Sequence, residues 1–191
     1  MALVSAGFDL LVALTCVGAA LWLLRQPESR LRGAALAMVL MAVASALGAL
    51  RYGGVEGLVG LHRGASRVAG SIAPASFALV AAALTVDWAQ RKLELGLLGL
   101  IVAGVGVGLV LDVGLYPTLV GALAVLVLVG LAIRSRTMPA ITTAAGALLL
   151  ALAGLVIGSQ GTLGPFNRVD LFHLTLAVAH ALIAHGLVKQ S

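Results

Sequence analysis

The chain has 191 residues, of which 61% are hydrophobic and 10% charged, with a net charge of +5 and a mean hydropathy of +1.14. Soluble domains carry about 25% charged residues, so this composition excludes one and describes an integral membrane protein. The surplus of basic residues would suggest nucleic acid in a soluble protein. Here those residues sit between apolar runs, where anionic lipid headgroups attract them, and no basic face interleaved with aromatics exists, so membrane lipids are the expected partners and nucleic acid is not.

A span needs about 20 apolar residues. Runs bounded by charges or prolines predict helices over 3–24, 33–50, 70–87, 93–112, 116–133, 138–158 and 167–188. The fold class is therefore all-α, a polytopic bundle of about seven transmembrane helices forming one domain over 1–191. Long runs of Leu, Ala, Val and Gly, without short alternating segments, favour helices over a barrel.

The opening Met1-Ala2-Leu3-Val4-Ser5-Ala6-Gly7-Phe8-Asp9 lacks a basic signal-peptide region and reads as a retained first span. Cys16, the single cysteine, falls within that span, which leaves no intramolecular disulfide and no cysteine-based zinc site. Between the second and third runs, Val55 to Arg67 is less apolar and reads as a re-entrant or interfacial piece, or as an extension of the third helix. Gly104, Gly106 and Gly108 superficially suggest a nucleotide loop, but they lie mid-span with no preceding strand, so helix packing is the expected role. Ser45 and Thr85 are expected to bond to backbone carbonyls.

Alternate loops hold Arg25, Arg30, Arg32, Arg91, Lys92, Arg134, Arg136 and Lys189, eight of the twelve basic residues. Arg51, Arg63, Arg67 and Arg168 fall on the other side. The positive-inside rule then puts the N-terminus outside and the C-terminus in the cytoplasm of a cell membrane, the expected setting being the bacterial inner membrane.

This direction gathers Asp9, Asp112, Asp170, His173, Glu56 and His62 near the outer face. An ionisable group kept within a span is costly and marks a functional site by default. Asp170 and His173 are three residues apart, on one helix face, which suits joint metal ligation or a carboxylate orienting an imidazole. The first and last helices of a closed bundle are usually neighbours, so Asp9 is a second candidate catalytic carboxylate beside Asp170. His180 lies seven residues beyond His173 and shares its face, but at a rise of about 1.5 Å per residue it stands roughly 10 Å away. It reads as a proton relay, a support behind the site, or a hydrogen-bonded packing histidine; His185 reads as structural. Near His62, Glu56, Arg63 and Arg67 share a face if that piece is helical, and either hold a phosphate or carboxylate headgroup or meet the lipid surface. Arg51-Tyr52 reads as an interfacial anchor.

The segment Asp170-Leu171-Phe172-His173-Leu174, followed by small residues and His180, resembles the final helix of the alkaline ceramidase, adiponectin-receptor-like and haemolysin III group, the CREST superfamily. Pro165-Phe166-Asn167 before that helix, with Gly53-Gly54 before His62, also looks like a small bacterial membrane family related to them. The resemblance implies a seven-helix membrane protein, zinc as cofactor and lipid amide hydrolysis as the activity. It carries over His62 and His173 as metal ligands. Val169 stands where the superfamily's His-x-x-x-His has its first histidine, and Leu58 stands four residues before His62 in place of an upstream serine. Zinc takes about three protein ligands, so Asp170 or Asp9 has to supply the third. Three functions follow: a metal-dependent lipid hydrolase; a non-enzymatic subunit that binds a lipid, a quinone, a protein partner or a second copy of itself; and a haem b electron carrier ligated by His62 and His173.

Overall fold

In hydrocarbon every backbone N–H and C=O must be bonded within its own segment, and the chain meets this demand with helices almost throughout. The computed structural model describes residues 2–106, 115–158 and 160–191. Its elements are α1 (Ala2–Leu24), α2 (Leu31–Tyr52), α3 (Val59–Thr85), α4 (Gln90–Val105), α5 (Tyr116–Ser135), α6 (Met138–Ala151), a π-helical continuation of α6 (Leu152–Ile157), a small hairpin of β1 (Thr162–Leu163) and β2 (Phe166–Asn167), and α7 (Arg168–Gln190). Six of the described helices, all but α4, are long and apolar enough to cross a membrane, which makes this a multi-pass membrane protein. The far part of the fourth predicted span, with Gly108 and Asp112, lies outside the described residues.

Local chemistry sets several boundaries. Pro117 and Pro139 occupy first-turn positions of α5 and α6, where the missing N–H costs no helical bond. Thr137 caps α6 by accepting from the Ala140 N–H at 3.4 Å. The third helix begins eleven residues before the predicted start at 70, so His62, Arg63 and Arg67 are helical. Glu56 is not: it sits exposed in the turn before α3, next to Gly57 at φ +85. The proposed shared face of Glu56 with Arg63 and Arg67 therefore does not form.

The helices close into a ring in the order α1, α2, α3, α5, α6, α7 and back to α1, while α4 packs against α3. Gly104 makes that last approach possible, since a Cβ there would lie 2.5 Å from Ile72. Helices α1 and α7 run parallel, as paired residues along their length show: Ser5 with Asp170, Asp9 with His173, and Trp22 with His185. We call the end where both begin the upper end. At the seam of α6 with α7, a Cβ on Gly146 would lie 2.7 Å from the Ala179 carbonyl, and one on Gly186 would lie 2.7 Å from the Pro139 carbonyl. Such small residues let apolar helices approach closely where lipid offers no hydrophobic drive between them. Helix α5 buries only the stripe Ala124, Leu128 and Ala132, and leaves Leu119, Leu123, Leu126 and Ile133 exposed. A helix apolar on every side is one that faces lipid.

Candidate functional site

The ring surrounds a cavity of about 350 Å³, within the size range of small-molecule sites. All six ring helices line it: Asp9 from α1, Ser45 from α2, His62 from α3, Thr118 from α5, Leu150 from α6, and His173 and His180 from α7. Most of the remaining wall is apolar, including Phe77, Leu128, Phe172 and Leu176. Ala122, Gly154 and Leu155 line the cavity yet remain exposed, so its open flank lies between α5 and the π-helical end of α6. Short π-helical stretches inside α-helices are frequent at functional sites.

Asp9 forms the head of this cavity. Its side chain is 1% exposed, and His173 Nε2 stands 3.1 Å from its Oδ1. The carboxylate rests on Gly48 of α2, where a Cβ would come within 2.7 Å of Oδ2; only glycine leaves room for it. Two atoms of the pair, Asp9 Oδ2 and His173 Nδ1, are buried without a hydrogen-bond partner. Each such atom costs about 1–3 kcal/mol, a cost that a native structure carries for a reason such as strain, a catalytic role or a bound group.

The protonation pattern of the imidazoles follows from their partners. A carboxylate accepts, so His173 carries its proton on Nε2 toward Asp9 and presents Nδ1 as a bare acceptor. Arginine only donates, and Arg51 Nη1 lies 3.3 Å from His62 Nδ1, so His62 keeps its proton on Nε2. Arg51 also stacks over Tyr52 at 5.0 Å, and Tyr52 meets the His62 ring edge-on. His180 Nδ1 donates to the Leu176 carbonyl at 2.7 Å, which leaves Nε2 as an acceptor. Its ring meets Phe77 edge-on at 6.1 Å.

Asp170 has a different task. Ser5 Oγ donates to its Oδ1 at 2.7 Å and Asn167 Nδ2 donates to its Oδ2 at 3.1 Å. Both oxygens are thus occupied in tying the start of α7 to α1, and His173 turns to Asp9 instead. Asp170 does not line the cavity, which removes the basis for a catalytic role there. Among the described residues no group of three or more His, Cys, Asp or Glu could hold a metal ion, so His62, His173 and Asp170 do not make the three-ligand set that zinc takes.

Compared with known families, residues 4–191 match the model described as a family of unknown function, DUF6962. The chain belongs to DUF6962. No curated protein and no solved structure matches it.

Of the residues singled out in this DUF6962 sequence, Asp9, His62, His173 and His180 meet at one cavity, whereas Glu56, Arg63, Arg67 and Asp170 do not line it. Ser5, Ser45, Arg51, Phe77 and Asn167 were not anticipated in these roles. Ser5 carries a signal in retrospect, since it precedes Asp9 by four residues and so shares its helix face. The sequence marks Arg51 as an interfacial anchor, whereas its contact with His62 depends on how α2 and α3 meet. Thr85 donates to the Ala81 carbonyl at 2.8 Å, as expected, whereas the buried Ser45 lines the cavity.

Proposed function

We propose that this protein binds an amphiphile inside the membrane, with the ligand's polar head at Asp9, His173 and His62 and its apolar remainder along the lower cavity and the flank between α5 and α6. In this reading α4 completes a seventh span, the upper end faces outside and the C-terminus lies in the cytoplasm of a bacterial inner membrane, as the basic residues favour. The observation that carries the proposal is the pair of unpartnered buried atoms, Asp9 Oδ2 and His173 Nδ1, at the head of a largely apolar cavity. A few convergent polar groups in an apolar pocket are the usual composition of a small-molecule site. Of a metal-dependent hydrolase, a non-enzymatic lipid- or quinone-binding subunit and a haem carrier, the second fits this site best. Zinc-dependent hydrolysis asks for a ligand set that the described residues do not provide.

The test is recovery of the amphiphile. Protein purified from its own membranes in mild detergent is extracted with organic solvent, and the extract is analysed by mass spectrometry beside that of Ala122→Trp, which narrows the open flank. An amphiphile recovered near one per chain from the native protein, and reduced at least tenfold in the variant, supports the proposal. Equal recovery from both, or none from the native protein, overturns it.

A further inference from the structure

A second cavity, of about 300 Å³, opens at the lower end of the ring, where α3, α5 and α7 finish and α6 begins. It shares no lining residue with the central cavity. Its character is also the reverse, since Thr85, Ser135, Thr137, Lys189 and Gln190 make most of its wall polar. Two of the four helices are tied together beside it: Gln190 Nε2 donates to Thr143 Oγ1 at 2.8 Å, across the seam where Gly186 of α7 lies against the Pro139 carbonyl of α6.

The wall holds donors that nothing yet receives. A lysine ammonium has three N–H groups and no acceptor, and an amide has two N–H groups. Gln190 gives one of its two to Thr143, which leaves the other. Thr137 Oγ1 accepts from the Ala140 N–H at 3.4 Å, so its own proton is unspent. No carboxylate lines the cavity, and Asp87, the acid nearest in sequence to its lining residues, pairs with Arg30 at 2.8 Å instead.

Two further cations adjoin this wall. Arg134 and Arg136 flank Ser135 at the end of α5, and among the described residues neither they nor Lys189 make an ion pair or a side-chain hydrogen bond. Arg136 closes α5 at φ +54, a left-handed position that glycine fills at least cost. The chain thus accepts backbone strain and keeps a guanidinium there.

The ends of membrane spans lie level with the lipid headgroups, and anionic headgroups attract clustered Lys and Arg. A phosphate diester supplies what this wall lacks, a negative charge on oxygens that accept charge-assisted hydrogen bonds. We propose that the lower cavity binds the phosphate of an anionic phospholipid, with Lys189 and Arg136 against its charge and Thr137 and Gln190 donating to its oxygens. This site is separate from the central cavity and stands or falls without it.

Native mass spectrometry of the purified, delipidated protein in detergent, titrated with dioleoyl phosphatidylglycerol or dioleoyl phosphatidylcholine, tests this. The anionic lipid should be retained at one per chain and about tenfold more tightly than the zwitterionic one, since each basic residue near the surface contributes about fivefold. Arg136→Gly should lower that preference about fivefold, while the unfolding temperature measured without lipid holds or rises because glycine suits the backbone. Lys189→Gln should lower it by a similar factor, and the two together should bring it below about twofold. Arg91→Gln with Lys92→Gln removes two charges from the start of α4 at the same end and should leave the preference unchanged. Equal retention of the two lipids, or an equal loss in the Arg91 and Lys92 variant, overturns the proposal. So does displacement of the anionic lipid by glycerol phosphate at equal concentration, which would make this a site for a free phosphate ester.

Discussion

The two ends of the bundle handle ionisable residues in opposite ways. At the lower end, Arg30 donates to Glu28 at 2.9 Å, to Asp87 at 2.8 Å and to the Ala83 carbonyl at 3.2 Å, and Ser29 donates to Gln90 at 3.1 Å. These groups tie loops together beside water, and the Arg30 guanidinium holds the Glu28 carboxyl below its usual range. At the upper end, Asp9 and His173 satisfy one another only in part, and their remaining atoms have no partner although both are buried. Charge alone therefore does not mark a site in this chain. An ionisable pair with unmet hydrogen-bonding capacity, buried at one end of the cavity inside the ring, does.

Substitutions at both ends sharpen that contrast, beginning with the largest expected effect. Gly48→Val drives a side chain into the Asp9 carboxylate; overpacking of this kind costs about 1–3 kcal/mol, read as a lower unfolding temperature in detergent together with loss of the bound amphiphile. Next is Asp9→Ala, which leaves the His173 Nε2–H buried and unpaired at about 1–3 kcal/mol. Replacing both partners, Asp9→Leu with His173→Phe, should restore stability to near that of the native protein, because two apolar groups leave nothing unsatisfied; thermal unfolding of the single and double variants checks this. Third, Ser5→Ala removes one bond to Asp170 and should cost about 0.5–1.5 kcal/mol with amphiphile recovery unchanged, which separates the tie from the site.

The smallest effects belong to the lower end. The partner of Arg30 in Asp87 is 93% exposed, so Asp87→Ala should change stability by about 0–1 kcal/mol in chemical denaturation. Glu28 titrates below its ordinary value of 4.5 when folded because Arg30 bonds to its ionised form. Its contribution is thus present above about pH 4.5 and is lost as pH falls through the lowered value. Arg30→Gln should flatten that part of a stability-against-pH curve.

Much of this architecture was legible in the sequence because a membrane span announces itself by length and apolarity. The start of α3 was not, since His62, Arg63, Gly64 and Arg67 dilute hydropathy even though the backbone still demands a helix. The same limit explains the site. Asp9, His62 and His173 stand out in the sequence because ionisable groups near apolar runs are costly, and that rule holds for each residue by itself. The choice between Asp170 and Asp9 as partner of His173 turned instead on the register of α1 against α7, which seats Ser5 against Asp170 and Asp9 one turn further in. Nor could spacing along one chain segment reveal that Gly48 makes room for a carboxylate from another helix.

The central claim is that the loose ends at Asp9 and His173 hold a ligand. Intact-protein mass spectrometry of the native chain and the Asp9→Leu/His173→Phe variant, both purified from the same membranes, addresses it most directly. The account predicts one tightly held amphiphile on the native protein and none on the equally stable variant. The same bound mass on both, or a native protein that carries none, would contradict it.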